Sequence, residues 1–557
     1  MLNLVMSRMA SRVARGGRLV RSALGRDLRV HQLRREDKAL RLRGAQYRAT
    51  FEARAPLFAR DLPARVVPMQ PNRQYADAVR NAVQEVLRAS GIPWRMVHDS
   101  EDRSPRIAIR SVDVLRAAEV IAEQCDGALI GVDERFEHAS KVRFSSGQLP
   151  GGDICGARRA YVLSPAISVS GGDIVKRYGF ECSVTIEVWR AFDGFGNWAS
   201  GMWNPVANVL PDSAFSADAP KFDKRAELSG GFDVPHLMEV AFPVDAVYTW
   251  VDGTDPQWLE RKRHALERNS GDPMPEAAAE DLRFVGHDEL RYSLRSLENY
   301  APWVRHVYIV TDGQRPDWLR DDTDWVSVVD HRDIAPEGTE LPTFNSQAIE
   351  ANLHRIDGLS EHFLYFNDDM FLSSPVSPDL FFHANGLASV FLSRALVAPG
   401  DPVEGEPAPD AAGKNARDLV WQVCGRRLSR KLFHAPYALN TTISQEIEDR
   451  WPETVQRTRD SQFRRLEDIT LAGGLHLNYA YAVGRAVTRK IRYRYVGIGE
   501  ESAASELERL IKDKDSLQTF CLNDAVQDIA PDVADRQVRE FLERRFPDMG
   551  SFERLPE

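Results

Sequence analysis

Two adjacent aspartates follow a predicted buried strand in the second half of the chain. The strand spans 362–366, and Asn367, Asp368 and Asp369 come directly after it. Carboxylate oxygens are the ligands that Mg²⁺ and Mn²⁺ prefer, and such a cation can neutralise a bound diphosphate. The pair is therefore a candidate metal and phosphate site. Asp–Asp pairs at strand ends also make turns and helix caps, and that simpler interpretation stays open.

A second candidate site lies at the end of another predicted strand, over 246–251. An aromatic ring, a hydroxyl and a carboxylate come together there at Tyr248, Thr249 and Asp252. They can bind a nucleoside, the ring by stacking and the oxygens by hydrogen bonds to ribose or base. The Asp-Gly-Thr-Asp-Pro run that closes the segment also suits a plain strand-to-helix turn, because proline favours the first helical position. Both interpretations fit the residues.

His434 and the pair Arg464-Arg465 could supply the remaining chemistry. A histidine can remove a proton from a sugar hydroxyl near neutral pH, and an arginine can clamp a phosphate. The alternatives are a packed structural histidine and a surface ion-pair cluster with Glu467 and Asp468. The residues alone indicate a metal-dependent enzyme that acts on a phosphorylated or nucleotide substrate.

The segment 241–557 must position these side chains, and predicted strands and helices alternate along it. Strands are predicted over 246–251, 304–310, 325–329 and 362–366. Helices are predicted over 255–267, 288–300, 345–356, 444–451, 475–487, 502–513 and 535–546. This alternation is typical of an α/β domain with a mainly parallel sheet and flanking helices, which binds ligands at the carboxyl ends of its strands. A stretch rich in proline, glycine and acid at 399–413 predicts a flexible insertion near 385–432.

Residues 36–240 form a separate predicted α+β domain of unassigned role. Helices are predicted over 75–89 and 115–125, and short strands divided by glycine pairs follow between 140 and 210. Its aromatic cluster either packs a core or presents a sugar-stacking surface. The members of that cluster are Trp189, Phe192, Phe195, Trp198 and Trp203.

The composition of the whole chain excludes several classes of protein. Its 557 residues are 43% hydrophobic and 28% charged, which indicates a globular chain of several domains. The net charge of −10 lacks the basic footprint of a nucleic-acid-binding protein, so we expect no nucleic-acid partner. The five cysteines contain no C-x-x-C pair, which argues against a zinc ribbon and a disulfide framework. Free thiols point to a reducing compartment, and we expect the cytoplasm.

The first 35 residues differ from the rest in charge. Residues 1–35 contain nine arginines and one acid, with apolar residues interleaved at roughly helical spacing. This basic amphipathic segment can contact an anionic membrane surface, resemble an organelle transit peptide, or form a solvated tail. No window of about 18 apolar residues occurs, so no membrane span is predicted. Peripheral contact at the inner face of the membrane is thus compatible with a cytoplasmic protein.

Four stretches in order carry a family resemblance over most of 245–557. The first two are DAVYTWVDGTDPQW at 245–258, and RFVGHDELRYSLRSLENYAPWVRHVYIVTDGQRPDWL at 283–319 with its continuation LPTFNSQAIEANLHRIDGLSEHFLYFNDDMFL at 341–372. The others are FHAPYALN at 433–440 through FRRLEDI at 463–469, and FCLND at 520–524 with SFERLPE at 551–557. These stretches resemble the Stealth family of sugar-1-phosphate transferases. That family includes bacterial capsular and exopolysaccharide phosphotransferases and the α/β subunit of the animal N-acetylglucosamine-1-phosphotransferase.

The resemblance implies roles for individual residues. It implies four catalytic side chains: Asp369, His434, Arg464 and Asp524. It implies Mg²⁺ or Mn²⁺ as cofactor, held by Asp368 and Asp369. It implies a nucleotide-sugar pocket that includes Tyr248, Thr249, Asp252 and Arg291. The neighbouring Arg465 leaves the register of the arginine open.

The resemblance also implies a reaction and a nucleotide-sugar transferase-like fold. The reaction is the transfer of a hexose-1-phosphate from a UDP-sugar, with UDP-N-acetylglucosamine as one candidate, to a glycan hydroxyl, with release of UMP. The short insertion at 385–432 replaces the cysteine-rich modules of the animal enzyme, which favours a glycan acceptor over a folded protein. The alternatives are a metal-dependent glycosyltransferase that releases UDP and an inactive glycan-binding protein.

Overall fold

The computed structural model describes most of the chain from 237 to 554 and parts of the chain before it. The described residues are 65–67, 72–97, 106–125, 128–133, 143–144, 158–164, 167–169, 184–192, 196–200, 209–215, 237–269, 284, 286–513, 516–524 and 528–554. The amphipathic segment expected at 1–35 lies outside them. Within these ranges, no helix combines the length and the apolarity that crossing a bilayer requires.

The described segments before residue 216 place two helices on a mixed sheet. The helices are α1 (Asn72–Ala89) and α2 (Val114–Gln124), which confirms both helix predictions. The strands are β1 (Arg65–Val67), β2 (Trp94–Val97), β3 (Arg106–Arg110), β4 (Ala128–Asp133), β5 (Arg143–Phe144), β6 (Arg158–Ser164), β7 (Ile167–Val169), β8 (Val184–Ala191), β9 (Asn197–Ser200) and β10 (Val209–Pro211). Both helices share an apolar core with β2, β3 and β8.

Two members of the N-terminal aromatic cluster belong to a core. Trp189 is completely buried and Trp198 is 9% exposed, and both pack in one small apolar group. Phe192 is exposed, whereas Phe195 and Trp203 lie outside the described residues. The core interpretation is therefore confirmed for the two buried tryptophans.

From residue 237 onward the chain alternates strands and helices, with more short elements than the sequence predicts. The strands are β11 (Val244–Thr249), β12 (Val307–Thr311), β13 (Val326–Asp330), β14 (His362–Asn367), β15 (Met370–Leu372), β16 (Ala388–Val390), β17 (Leu392–Leu396), β18 (Arg430–Leu432), β19 (Tyr437–Asn440), β20 (Ala486–Thr488), β21 (Tyr493–Gly497) and β22 (Thr519–Asn523). The helices are α3 (Pro256–Arg268), α4 (Glu289–Tyr300), α5 (His331–Ile334), α6 (Ser346–Glu350), α7 (Ala408–Cys424), α8 (Thr441–Arg450), α9 (Pro452–Arg459), α10 (His476–Ala482), α11 (Ala503–Lys512) and α12 (Pro531–Arg545).

The central sheet has the strand order β13-β12-β11-β14-β19. Strands β13, β12, β11 and β14 are parallel, and β19 runs antiparallel to β14 at the edge. This confirms the predicted α/β domain with a mainly parallel sheet. The carboxyl ends of the parallel strands share one edge of the sheet, and β19 begins at that same edge. Residues that follow β14 and residues that precede β19 are therefore brought together.

Helix α4 supports the sheet as its amphipathic pattern predicts. Three leucines on one face are buried in the main core: Leu290, Leu294 and Leu297. The same helix also holds the short strand β15, because the Leu372 N–H donates a hydrogen bond to the Ser296 hydroxyl at 3.0 Å. Strand β15 follows the two aspartates directly, so α4 holds the chain immediately after Asp369.

The helix predicted over 345–356 is shorter than expected. Asn345 caps α6, its side chain accepting a hydrogen bond from the Gln347 N–H, but α6 ends at Glu350. The Asn352 side-chain amide donates to the Ala348 carbonyl at 3.1 Å, and local bonds of this kind compete with helical ones. A single 3₁₀ turn at Leu353–Arg355 follows.

The insertion at 385–432 contains a helix that the sequence pattern did not predict. Helix α7 has Pro409 in its first turn, where proline is well tolerated, and it contains Gly413, a residue that weakens a helix interior. Lys414 of this helix is 5% exposed, pairs with Glu406 at 2.8 Å and donates to the Asp401 carbonyl at 3.0 Å. The lysine thereby attaches the proline-rich stretch to the helix. The flexibility expected of the insertion stays a prediction.

Candidate active site

Asp369 and His434 meet where β14 and β19 lie side by side. Tyr365 of β14 is paired with Tyr437 of β19, and Asp369 follows the first strand while His434 precedes the second. His434 Nε2 consequently lies 3.3 Å from Asp369 Oδ1. His434 Nδ1 lies 3.3 Å from the Tyr437 hydroxyl. The structure therefore brings two of the predicted catalytic residues into contact.

A second, small sheet holds Asp369 from its other side. Strands β15 and β22 pair antiparallel, and the Leu522 N–H donates to the Asp369 carbonyl at 3.0 Å. This pairing sets the Cys521 thiol 3.2 Å and the Asn523 side-chain nitrogen 3.3 Å from Asp369 Oδ2, both as hydrogen-bond donors. One carboxylate oxygen is thus fixed by two donors, and the other faces His434.

The contact couples the ionisation of Asp369 and His434. Burial acts to raise the pKa of Asp369, but the charge of His434 and the hydrogen bonds from Cys521 and Asn523 outweigh it, so the pKa is lowered. Burial acts to lower the pKa of His434, but the Asp369 charge outweighs it and raises that pKa. The contact therefore favours the charged form of each partner relative to the free side chain. The imidazole is therefore a stronger base than a free one.

Asp368 and Glu289 form an acidic group beside this pair. Glu289 lies at the start of α4 and is 7% exposed. Burial raises the pKa of Asp368 well above its ordinary value, and the charges of Glu289 and Asp369 raise it further. Crowded carboxylates are the oxygen-only donor set that Mg²⁺ and Mn²⁺ prefer. The chemistry of these side chains suits such a cation, and a cation at Asp368 and Asp369 stays a prediction. Glu289 is an additional acid that sequence reasoning missed.

Buried polar side chains hold the loop that carries Arg464. Asp468 is completely buried and accepts hydrogen bonds from Asn345 Nδ2 at 2.9 Å, from Ser461 Oγ at 2.8 Å and from the Arg465 N–H at 2.8 Å. Burial raises the pKa of Asp468 to about 6. The sequence suggested a surface ion-pair cluster here as an alternative, and Asp468 instead organises the interior of the loop.

Of the two adjacent arginines, Arg464 is the one that points toward His434. Arg464 Nη2 donates to Ser346 Oγ at 2.7 Å, and Arg464 Nε is buried without a hydrogen-bond partner. Arg464 and His434 line one cavity, whereas Arg465 lines a different, open depression beside α9. This placement supports the register that assigns the role to Arg464.

The cavity beside His434 has a volume of about 230 Å³. Its polar lining includes Glu350, Asn367, His434, Tyr437 and Arg464. Pockets for whole drug-sized ligands measure about 300–1,000 Å³, so this space suits part of such a ligand. The open depression beside α9 is larger, about 690 Å³, but its lining contains none of the predicted catalytic residues.

Glu350 is a buried acid of the cavity that sequence reasoning missed. Its Oε2 accepts hydrogen bonds from Thr470 Oγ1 at 2.8 Å and from the N–H groups of Ala472 at 3.2 Å and Gly473 at 3.3 Å. Burial raises the pKa of Glu350, while those hydrogen bonds and the Arg464 charge oppose the rise. The residues that precede it, Ser346-Gln347-Ala348-Ile349, form no pattern that sets this carboxylate apart.

Asp524 lies next to a second histidine. Asp524 Oδ2 is 3.9 Å from His287 Nε2, and His287 Nδ1 is 2.8 Å from Asp535 Oδ1. Burial opposes a charge on His287, but Asp524, Glu289 and Asp535 together raise its pKa to about 9. Asn523, the residue before Asp524, contacts Asp369, so Asp524 borders the site through β22.

Tyr248 and Thr249, both predicted for the nucleotide-sugar pocket, lie in β11. The Tyr248 ring is completely buried and stacks on Phe366 with ring centroids 4.8 Å apart. The ring therefore packs in the core, whereas the sequence predicted that it contacts a nucleoside. Thr249 Oγ1 lies 3.0 Å from the Tyr365 hydroxyl at the carboxyl end of the strand. Its part in a donor pocket stays a prediction.

Asp252 and Arg291, the other two residues of that predicted pocket, have different hydrogen-bond partners. Asp252 Oδ1 accepts from the Thr254 N–H at 2.8 Å, and the Gln314 side chain bonds the Asp252 backbone. This is the capped strand-to-helix turn that the sequence left as an alternative. Arg291 Nε donates to Glu553 at 2.6 Å, on the face of α4 toward the C-terminal segment. Nucleotide contact by either residue stays a prediction.

The four conserved regions of Stealth proteins match the chain in order. Conserved region 1 matches 242–270, region 2 matches 283–390, region 3 matches 433–481 and region 4 matches 510–557. Region 2 contains Asp368 and Asp369, region 3 contains His434 and Arg464, and region 4 contains Asp524. The four regions thus contain all the predicted catalytic and metal-binding residues.

Similar proteins are named as phosphotransferases. An exopolysaccharide phosphotransferase of Streptomyces coelicolor is 35% identical over 547 residues, which cover 91% of this chain and 88% of that protein. Another from the same organism is 47% identical over 319 residues, 57% of this chain and 53% of that protein. A capsular polysaccharide phosphotransferase of Haemophilus influenzae is 36% identical over 317 residues, 55% of this chain and 85% of that protein. The chain therefore belongs to the Stealth family and is a phosphotransferase.

Proposed function

We propose that this enzyme transfers a hexose-1-phosphate from a UDP-sugar to a hydroxyl of a glycan and releases UMP. The observation that carries the proposal is the contact between His434 and Asp369, 3.3 Å apart, beside a cavity that Arg464 also lines. The contact and the shared cavity bring an imidazole, a carboxylate and a guanidinium together, which supports the proposal. The names of the relatives, exopolysaccharide and capsular polysaccharide phosphotransferases, support a glycan acceptor.

The reaction is a substitution at phosphorus. The acceptor oxygen forms a bond to the phosphorus that carries the sugar, and the bond from that phosphorus to the oxygen bridging the two phosphates breaks. UMP leaves with the bridging oxygen, and the hydroxyl proton passes to His434. The product is a phosphodiester. A glycosyltransferase would instead break the bond between the anomeric carbon and its oxygen and release UDP.

His434 and Asp369 act as a pair in this proposal. Neutral His434 accepts the hydroxyl proton, and Asp369 stabilises the imidazolium that results. Burial opposes a charge on His434, but the Asp369 charge raises the pKa of His434. A raised pKa makes the imidazole a stronger proton acceptor. Cys521 and Asn523 hold Asp369 in place through its Oδ2 atom.

Arg464 and a divalent cation held by the two aspartates would neutralise negative charge on the phosphoryl group. Arg464 Nε is buried and has no hydrogen-bond partner, so it can donate to a phosphoryl oxygen in the cavity. Asp368 and Asp369 would hold Mg²⁺ or Mn²⁺, which neutralises a diphosphate when bound. Glu289 adds negative charge beside them and strengthens attraction for a cation.

Identification of the released nucleotide tests the proposal. The full chain is incubated with a panel of nucleotide-diphosphate sugars, Mg²⁺ and a polysaccharide acceptor. We expect UMP to accumulate in step with a product that carries a phosphodiester-linked sugar. His434→Gln, analysed in parallel, should release no nucleotide above background. Accumulation of UDP would replace this function with glycosyl transfer.

We further propose peripheral contact between the basic segment 1–35 and the inner face of the membrane, in a cytoplasmic enzyme. Its nine arginines suit anionic headgroups, since each basic residue adds about 1 kcal/mol of attraction near such a surface. Cosedimentation with vesicles tests this. Binding to vesicles with anionic lipid, absent with neutral lipid and absent after removal of 1–35, is the expected result.

A further inference from the structure

We propose that Asp369, His434 and Cys521 form a binding site for a thiophilic divalent cation, for which Zn²⁺ is the probe, and that this cation blocks phosphotransfer. One ligand atom from each residue lies within 4.8 Å of the others. The three residues come from three different elements, so the site exists only in the folded protein. The proposed metal binding does not depend on the proposed function, whereas the inhibition of phosphotransfer by the metal rests on it.

The spacing of the three donors approaches that of a tetrahedral site. With metal–ligand distances of about 2.0–2.3 Å, two ligands of a tetrahedral Zn²⁺ stand about 3.5 Å apart. His434 Nε2 lies 3.3 Å from Asp369 Oδ1, and Cys521 Sγ lies 3.2 Å from Asp369 Oδ2. Each contact has about the length of a tetrahedral edge, but the two contacts end on different oxygens of Asp369. With one ligand atom from each residue, the three atoms lie within 4.8 Å of one another, so the site needs a small contraction to close on the metal. Water or a substrate oxygen would take the fourth position, as in open zinc sites.

The donor set distinguishes this cation from the one expected at Asp368. Imidazole nitrogen and thiolate sulfur select Zn²⁺, whereas carboxylate oxygens select Mg²⁺ and Mn²⁺. Asp369 belongs to both groups, because it is the chain neighbour of Asp368 and also contacts His434 through Oδ1 and Cys521 through Oδ2. A thiophilic cation would coordinate both the His434 imidazole, which is the proposed base, and the Asp369 carboxylate. Excess Mg²⁺ would compete poorly for the sulfur and the nitrogen.

Metal binding at this site exchanges protons for the metal, and Cys521 holds its proton most strongly, because burial and the Asp369 charge raise the pKa of its thiol. Asp369 Oδ1 is buried and lacks a well-aligned hydrogen bond, and His434 keeps about a third of its side chain exposed, which leaves an approach from solvent. A thiol that binds Zn²⁺ does so as thiolate, so the proton that Cys521 donates to Asp369 would pass to solvent. His434 likewise binds as the neutral imidazole.

Cobalt(II) substitution tests the site directly. Co²⁺ is added to the full chain, and the thiolate-to-cobalt absorption band is recorded and then displaced with Zn²⁺. We expect one Co²⁺ per chain with such a band in the wild type. Cys521→Ser keeps a hydroxyl donor to Asp369 but loses the thiolate. We expect this variant to lose the band and to bind Zn²⁺ more than about a hundredfold more weakly. That loss exceeds the usual effect of replacing a residue that only hydrogen-bonds to a metal ligand.

Cys424→Ser is the matched control, since Cys424 lies in α7 and its thiol donates only to the Val420 carbonyl at 3.4 Å. It should bind Zn²⁺ like the wild type. A wild type without the thiolate band, or a band that survives Cys521→Ser, overturns the site. Should Cys521→Ser fail to fold, Asp369→Asn must weaken Zn²⁺ binding, and unchanged binding overturns the site equally.

The consequence for activity has its own readout. Transfer in the presence of Mg²⁺ is measured with and without Zn²⁺, each variant relative to its own rate without Zn²⁺. We expect Zn²⁺ to inhibit the wild type and Cys424→Ser at least about tenfold more strongly than Cys521→Ser. Equal inhibition of all three proteins overturns the inhibitory role. If no protein transfers a sugar phosphate even without Zn²⁺, the proposed function fails while the cobalt result still decides the site.

Discussion

His434 Nε2 lies 3.3 Å from Asp369 Oδ1, although the two residues belong to separate conserved regions of the chain. The antiparallel pairing of β14 with β19 produces this contact, because Asp369 leaves one strand at the edge where His434 leads into the other. The parallel strands β11, β12 and β13 end at the same edge. Strand order and direction therefore bring the residues of the candidate site together.

Replacing the imidazole tests its role as base. His434→Gln keeps the approximate volume but cannot accept a proton, so turnover should fall by roughly 10²–10⁴-fold, the usual range for a positioned acid–base group. Donor affinity should stay close to that of the wild type. Turnover, donor affinity and melting temperature are measured on the same variant. A variant that melts early but turns over normally at low temperature would show that His434 is only structural.

Asp369→Asn tests the carboxylate. The amide removes the charge that stabilises the imidazolium, and turnover should fall by about a hundredfold or more while the protein stays folded. The pKa of His434 should fall as well, because the Asp369 charge is what raises it against burial. Asp418→Asn, at a half-exposed aspartate that pairs with Arg417 on α7, is the control and should leave turnover unchanged. Normal turnover in Asp369→Asn would remove the pair from the mechanism.

Chelation tests the cation expected at Asp368 and Asp369. EDTA should abolish transfer, and Mg²⁺ or Mn²⁺ should restore it, because the crowded carboxylates form an oxygen-only donor set. The rate of UMP release is the measurement, with Ca²⁺ as a further oxygen-binding cation for comparison. Full activity in the presence of chelator would contradict the metal assignment.

Glu553→Gln tests how the C-terminal segment is held. Glu553 is completely buried and accepts from Arg295 Nη2 at 2.7 Å and from Arg291 Nε at 2.6 Å. Loss of its charge leaves two arginines facing a neutral group, which should cost about 3–5 kcal/mol of unfolding free energy in a urea titration. Arg554→Ala removes an exposed pair with Asp321 and should cost no more than about 0.5 kcal/mol. Equal effects would contradict this prediction.

The pH dependence of stability should reveal His287. Burial opposes its charge, but Asp524, Glu289 and Asp535 raise its folded pKa to about 9, above the ordinary 6.5. A raised pKa stabilises the fold fully below the unfolded value, and this contribution is lost as pH rises through the folded value. His287→Gln should therefore lower the melting temperature more at about pH 6 than at about pH 10. An equal loss at both pH values would show that the histidine is neutral when folded.

Much of the architecture followed from local pattern. The leucine spacing of α4 predicts its buried face, and the alternation of strands with helices predicts the parallel sheet. These features are local because a side chain three or four residues away lies on the same helical face. Patterns with internal contradictions were less informative. Gly413 lies inside α7, which the sequence pattern did not predict, and Asn352 lies where the helix expected over 345–356 has already ended.

The sequence by itself determined the residue types of the site, the edge of the sheet at which they had to lie, and the family. Only the tertiary structure decided which groups touch. It set Cys521 and Asn523 against Asp369, brought Arg464 to the cavity of His434, and buried the Tyr248 ring in the core. The physical reason is that strand pairing joins residues distant in the chain, and a pattern read along one segment carries no information about the segment beside it.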